Sequence, residues 1–330
     1  MQRNYVQPRF MHRKIAAALT VAVLFTGAAT ACTPEPIVSI PSASQAPGET
    51  VLKIGTPHVP DGVDPAEGAL VAHVYAAALY AAGVQASVVQ TPAPTGTLLA
   101  SMVQGSADVV PVYSRVALAE VSAEATAETP SAVVDALKAQ LPSGLELLDP
   151  AKVEDQDSIV VTAVTAQKYQ LKSLSDVGKV CEKLSMGGSA VFKTKAGGLA
   201  GLGSDYSCVP KSYESLAPTL TFGDDSTLWA LLRDDVQLAS IPNTSPAIAD
   251  NALVVLSDPK GLFPSQNIVP LVSTSKVTDA LQVLINKVSA ALTTDELSNL
   301  NRLSQDGHYA NLSEAATAWL TQQGLVKASS

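Results

Sequence analysis

Cysteine, histidine and aromatic side chains are scarce in this chain of 330 residues: 3 Cys, 4 His, 8 Tyr, 5 Phe and 2 Trp. Positive charge is short as well, with 21 Lys and Arg against 30 Asp and Glu. An acidic surface of this kind repels phosphates, which excludes nucleic acid as the natural partner. No Gly-x-Ser-x-Gly elbow, His-Glu-x-x-His pair or phosphate loop ending in Gly-Lys-Ser/Thr occurs, and the glycines from Gly197 to Gly203 lack dinucleotide spacing. The expectation is a protein that is no enzyme and carries no cofactor.

What the chain does have begins at its N-terminus. Arg3, Arg9, Arg13 and Lys14 precede a run from Ile15 to Ala31 that holds no charge. Basic residues followed by an apolar stretch make a signal-peptide profile. The run is diluted by Thr and Gly and falls short of the roughly 20 apolar residues of a membrane span. It closes on Ala29-Thr30-Ala31 before Cys32, which resembles the lipobox at which bacterial prolipoproteins are lipidated on the thiol and cleaved. An ordinary secreted protein whose cleavage site neighbours a cysteine is the other reading. Met11, followed by His-Arg-Lys, is a second candidate start. Residues 1–31 are thus expected to be a lipoprotein signal peptide and 32–50, rich in Pro and Ser, a disordered tether. Without residues 1–31 the chain keeps 17 basic and 30 acidic residues, a net of −13. The 280 residues beyond position 50 are comfortable for two lobes.

Cys181 and Cys208 are an even pair in a chain expected to be exported, where oxidation is permitted. A disulfide is expected, with two separate buried thiols as the alternative. It would close a loop containing Gly187-Gly188 and the glycines of 197–203, which is otherwise too glycine-rich to hold one shape.

From position 51 apolar runs of strand length alternate with runs of helical length: strands at 51–55, 85–90 and 107–112, helices at 66–82, 96–104 and 131–141. That alternation implies an α/β fold with a parallel sheet. A polar passage at 152–157 then leads into a new strand at 158–164, read as a crossing into a second lobe, and the chain is expected to cross back around 252–264. The division expected is 51–154 with 255–330 as lobe one and 155–254 as lobe two. The C-terminus reads as helices at 276–291, 294–306 and 312–323, with capping boxes at Thr293/Glu296 and Asn311/Glu314.

Three stretches, 185–202 with its glycines, 251–271 with its Asp-Pro-Lys, Phe-Pro and Asn-x-x-Pro elements, and 291–301, together resemble the substrate-binding proteins of osmoprotectant ABC transporters. That class takes glycine betaine, choline, carnitine or proline betaine. The resemblance spans roughly Val51 to Val326 and implies a bilobal, type II periplasmic-binding-protein fold. Two mixed or parallel sheets flanked by helices would close over a solute through hinge crossings near 150–158 and 252–264. It further implies a membrane permease as partner and a lipid-anchored place on the outer face of the cell membrane.

Quaternary ammonium ions cannot donate hydrogen bonds and are held by aromatic faces, about 0.5–2 kcal/mol per contact. The resemblance offers one cage candidate, Tyr113, at the end of a strand where the family has Asp-x-Tyr-Pro-Glu-Tyr-Thr-Gly. Val110, Val112, Ser114 and Arg115 depart from that pattern. No aromatic stands in the first crossing, which offers Asp157 instead, and Ser265-Gln266 follow Phe-Pro where the family commonly has a ring. Trp229 and Tyr206 could reach the cleft, although a core or surface role suits each better. His58 in the loop after the first strand, Thr95 and Gly96 before the second helix, and Asn243 and Thr244 in lobe two complete the expected ligand set. The cage is therefore expected to be altered. Two alternatives stay open. A metal-uptake lipoprotein would draw on His58, Asp61, Asp64, Glu67 and His73, and a lipoprotein of this fold could also act as a sensor or interaction protein.

Overall fold

The computed structural model describes residues 51–90, 98–124, 127–217, 226–305 and 307–327. The signal and tether segments, Cys32, Thr95 and Gly96 lie outside them.

Short apolar runs build the first sheet. β1 (Leu52–Gly55), β2 (Ala86–Val89) and β3 (Val109–Tyr113) pair in parallel with β1 in the middle. All residues of β3 are buried, as in a strand covered on both faces. Alternate side chains serve different cores: Val109 and Tyr113 pack with the long helix Pro65–Ala81, Val110 and Val112 with the helix Pro130–Ala139. The Pro65–Ala81 helix starts where Asp64 accepts a hydrogen bond from Ala66 N, with Pro65 in the first turn. It is apolar nearly all round, which fits its burial between the sheet and the helices Asp279–Ala291 and Leu312–Gln322.

β4 (Leu145–Leu147) ends the first half of this sheet, and the chain then enters a second sheet as β5 (Asp157–Val161). β6 (Ser185–Gly188), β7 (Ser212–Ser215), β8 (Leu238–Pro242) and β9 (Val254–Val255) complete that sheet before β10 (Ile268–Ser273) returns to the first. The orders are β2-β1-β3-β10-β4 and β7-β6-β8-β5-β9. β10 runs antiparallel to β3 and β4, and β5 antiparallel to β8 and β9, so both sheets are mixed.

The chain thus passes between sheets twice. The return comes later than the division at 255: Val255 pairs with Val160 of the second sheet, and Leu256 and Phe263 lie in the second core. Cys181 and Cys208 are joined by a disulfide within that core. Only one half of the first capping box forms. Glu296 N donates to Thr293 Oγ1 at 3.2 Å, but the Glu296 carboxylate turns inward to accept from Trp319 Nε1 at 2.7 Å. At the second, Glu314 N donates to Asn311 Oδ1, while Glu314 Oε2 takes Ala310 N one residue upstream of the cap.

Candidate functional site

The carboxyl ends of β1 and β3 face the second sheet across a cleft. Glu67, in the first turn of the Pro65–Ala81 helix, is 2% exposed. Tyr113 Oη donates to Glu67 Oε1 at 2.5 Å, Asn301 Nδ2 to Oε2 at 2.6 Å, and Thr244 Oγ1 to Oε2 at 3.0 Å. Every one of these donors is a neutral group. Burial pushes the Glu67 carboxyl above its ordinary range, opposed by the three hydrogen bonds. Tyr113 is fully buried, and its phenol is pushed well above 10 by burial and then by the neighbouring Glu67 and Asp155.

Asp155 occupies the first crossing, also 2% exposed. Its backbone pairs with Gln266 of the return crossing, and Gln266 Nε2 donates to Asp155 Oδ2 at 3.1 Å. Burial first, then the charges of Glu67 and Asp157, raise its carboxyl well above the usual range. Arg115 locks the same corner, donating from its backbone N to Gln266 Oε1 at 3.1 Å and from Nε to Ser265 O at 2.9 Å. The departures from the family pattern at Arg115 and Ser265-Gln266 thus meet one another as a hinge fastening.

Asp61 and Gly62 from the first lobe and Asp157, Ser189, Thr227, Ser240 and Pro242 from the second line a narrow recess. Asp157 is ion-paired with Lys195, both about a quarter exposed. Among the described residues, no aromatic ring lines the recess.

The expected site residues divide. Asp157 lines the recess and Thr244 meets Tyr113 through Glu67. Asn243 instead serves the backbone of the first crossing: Oδ1 accepts from Gln156 N at 3.0 Å and Nδ2 donates to Glu154 O at 2.7 Å. His58 turns to the Ser114–Val121 helix, its Nδ1 2.5 Å from Glu120 Oε1. Tyr206 sits in the second core, its hydroxyl bonded to Asp258 and accepting from Lys260 N, and Trp229 is 42% exposed on the Thr227–Leu232 helix.

The acids and histidines near residue 60 do not converge. Asp64 caps the helix, Glu67 is enclosed by its donors, and no group of three or more metal-ligating side chains forms among the described residues. Asp155 and Asn301 were absent from the expected residues, and Glu67 entered only as a metal-ligand candidate. Glu67 carried a signal nonetheless: it is the only acid in a helix otherwise made of apolar residues, one Gly and one His.

Residues 62–322 match the family described as the substrate binding domain of ABC-type glycine betaine transport system. Among solved structures, a glycine betaine/carnitine/choline ABC transporter protein is 18% identical with a TM-score of 0.70, covering 83% of this chain and 99% of that one. Apo YehZ from Escherichia coli is 22% identical with a TM-score of 0.65, covering 84% and 100%. Lactococcal OpuAC, in a closed form complexed with glycine betaine, is 16% identical with a TM-score of 0.51, covering 84% and 97%. At such identities the likeness is one of fold, the two-lobed type II binding-protein architecture.

Proposed function

Because the chain belongs to the substrate-binding domains of ABC-type glycine betaine transport systems, we propose that its cleft takes a small zwitterionic solute held by charge pairs more than by aromatic faces. It is the solute-binding component of an ABC importer, a role in which the protein captures its ligand and leaves it chemically unchanged. The observation that carries the ligand reading is the recess itself: acids from both lobes and hydroxyls, with no ring among the described lining residues, and Lys195 ion-paired with the lining Asp157. A zwitterion is able to exchange into such a pair, its ammonium on Asp157 and Asp61 and its carboxylate on Lys195. A lone cation satisfies only half of it. In this reading Tyr113 acts through its hydroxyl on Glu67, and the cage is altered from that of a choline binder.

Titration calorimetry against glycine betaine, proline, carnitine and choline tests this. Glycine betaine or proline should bind more tightly than choline, and Asp157→Asn should weaken the zwitterion by roughly tenfold, the effect of losing one charge-assisted contact. Choline binding tighter than every zwitterion, and unmoved by Tyr113→Ala, would overturn both the ligand class and the role given to Tyr113. The same reading puts the mature protein on the outer face of the membrane through a lipid on Cys32, beside its permease. No helix long and apolar enough to cross a membrane occurs among the described residues. Mass spectrometry of the mature N-terminus, showing a diacylglyceryl mass on Cys32 or an unmodified residue, decides that point.

A further inference from the structure

Two consecutive residues of one helix reach from the first lobe to the second. Asn301, on the Thr294–Gln305 helix, donates through Nδ2 to Glu67 Oε2 at 2.6 Å and to Thr244 O at 3.2 Å. Next to it, Arg302 places Nη2 2.8 Å and Nε 3.0 Å from Asp250 Oδ1. Thr244 and Asp250 both belong to the segment that follows β8, so the contacts converge on one short stretch of lobe two. The helix that bears Asn301 and Arg302 is anchored by Leu297 and Leu300, both fully buried in the first core. It is a rigid platform, and all of its partners are groups of the chain itself.

We propose that Glu67, Thr244 and Asn301, backed by the Arg302–Asp250 pair, form a clasp that holds the lobes together by the protein's own contacts, so that solute entry waits on its release. Hinge proteins of two packed lobes choose between open and closed arrangements by small differences in free energy. The two parts of the clasp differ in weight. Arg302 and Asp250 are 37% and 48% exposed, and a screened pair of this kind shifts the open-to-closed ratio by at most about fivefold. The Thr244 hydroxyl is buried against a carboxyl group, and loss of a bond of that type shifts the ratio by roughly tenfold or more. Thr244 is thus the main fastening and Arg302 the trim.

The clasp is independent of which solute the cleft takes, and its test uses none. Small-angle scattering and amide hydrogen exchange of the wild-type protein are compared with Thr244→Val and with the surface double variant Asp250→Ala, Arg302→Ala, all without ligand. The wild-type scattering should fit the closed arrangement. In Thr244→Val the radius of gyration should rise and exchange over 61–64 and 240–245 should speed up by about tenfold, while β3 and β6 stay protected. The surface variant should move in the same direction by about fivefold at most. Wild-type scattering that fits separated lobes would overturn the clasp, as would variants that match the wild type in both measurements. If Thr244→Val loses the protection of β3 and β6 it has unfolded, and the surface variant alone then decides by the same criterion.

Discussion

In the first lobe a long apolar helix is enclosed on every side, and Tyr75 and Trp319 are wholly buried against it and its neighbours. Among the described residues the second lobe has no helix of that length: its helices run to seven residues at most, around a core that contains a disulfide and a glycine-rich turn. At Gly198 an added Cβ would fall 1.8 Å from Phe192 O, and at Gly178 2.1 Å from Tyr206 O, so backbone packs there where side chains pack in lobe one. Apolar burial holds the first lobe, and in the second a covalent closure and tight backbone contact add to two smaller apolar cores. A covalent tie stabilises the smaller lobe without requiring a larger core.

The contrast is sharpest where it is broken. Trp319→Ala removes the largest buried side chain of lobe one together with its hydrogen bond to Glu296, and should destabilise by about 3–5 kcal/mol, read by denaturant unfolding. Reductant should leave that loss unchanged. Removing the Cys181–Cys208 bond, whose ends are separated by 27 positions in sequence, should lower stability by about 3–4 kcal/mol. The loss should be local: hydrogen exchange should quicken in β6 and β7 and stay slow in β1 and β3. Exchange that quickens equally in both lobes would mean that the cores are one cooperative unit and the contrast has no energetic meaning.

Much of this division was legible in the sequence. Apolar runs of strand and helix length gave the first lobe through β3 and the C-terminal helices, because those elements bury whole faces and the period shows it. β10 went unread as a strand although it is central to the first sheet. Pro270 interrupts its run, and proline inside a strand argues against one. The register toward β3 eases the difficulty: Pro270 lies opposite Pro111, an odd three places from the bonded rung at Ser114 and Asn267. The two prolines therefore form a non-bonded rung, where neither N–H would point at the other strand. The helices at Ser114–Val121 and Ala163–Tyr169 were missed because each is short and half exposed, with little periodicity to detect.

The site was less legible than the fold for a different reason. Its central carboxyl, Glu67, meets Thr244 and Asn301 from positions 177 and 234 residues away, a convergence that spacing along the chain does not encode. The tyrosine at the end of β3 was visible as a candidate because its strand was visible. The role of Asn243 was not, since its partners are backbone groups of the first crossing.

The smallest expected effect concerns the seam between the lobes, which neither core accounts for. Burial first holds both Glu67 and Asp155 above their ordinary pKa values; the charge of Asp64 adds to it at Glu67, against the hydrogen bonds from Tyr113, Asn301 and Thr244, and the charges of Glu67 and Asp157 add to it at Asp155, against Gln266 and Lys195. A carboxyl whose folded pKa exceeds its unfolded value binds more protons in the native state between the two values, so stability falls as pH rises through that window. The window opens above 4.5 for Glu67 and above 3.8 for Asp155. Asp176, drawn down to about 2, works in the opposite sense but only below 3.8, outside that range. Acidifying from neutrality toward pH 5 should therefore stabilise the protein, by on the order of 1 kcal/mol. Thermal melting followed across that range should show the rise in the wild type and a flatter profile in Glu67→Gln, which keeps the side chain's shape and removes its charge. A wild-type profile that falls on acidification would show that Glu67 and Asp155 are charged without penalty in the folded protein, and the seam would then be held by charge as the surface pair is.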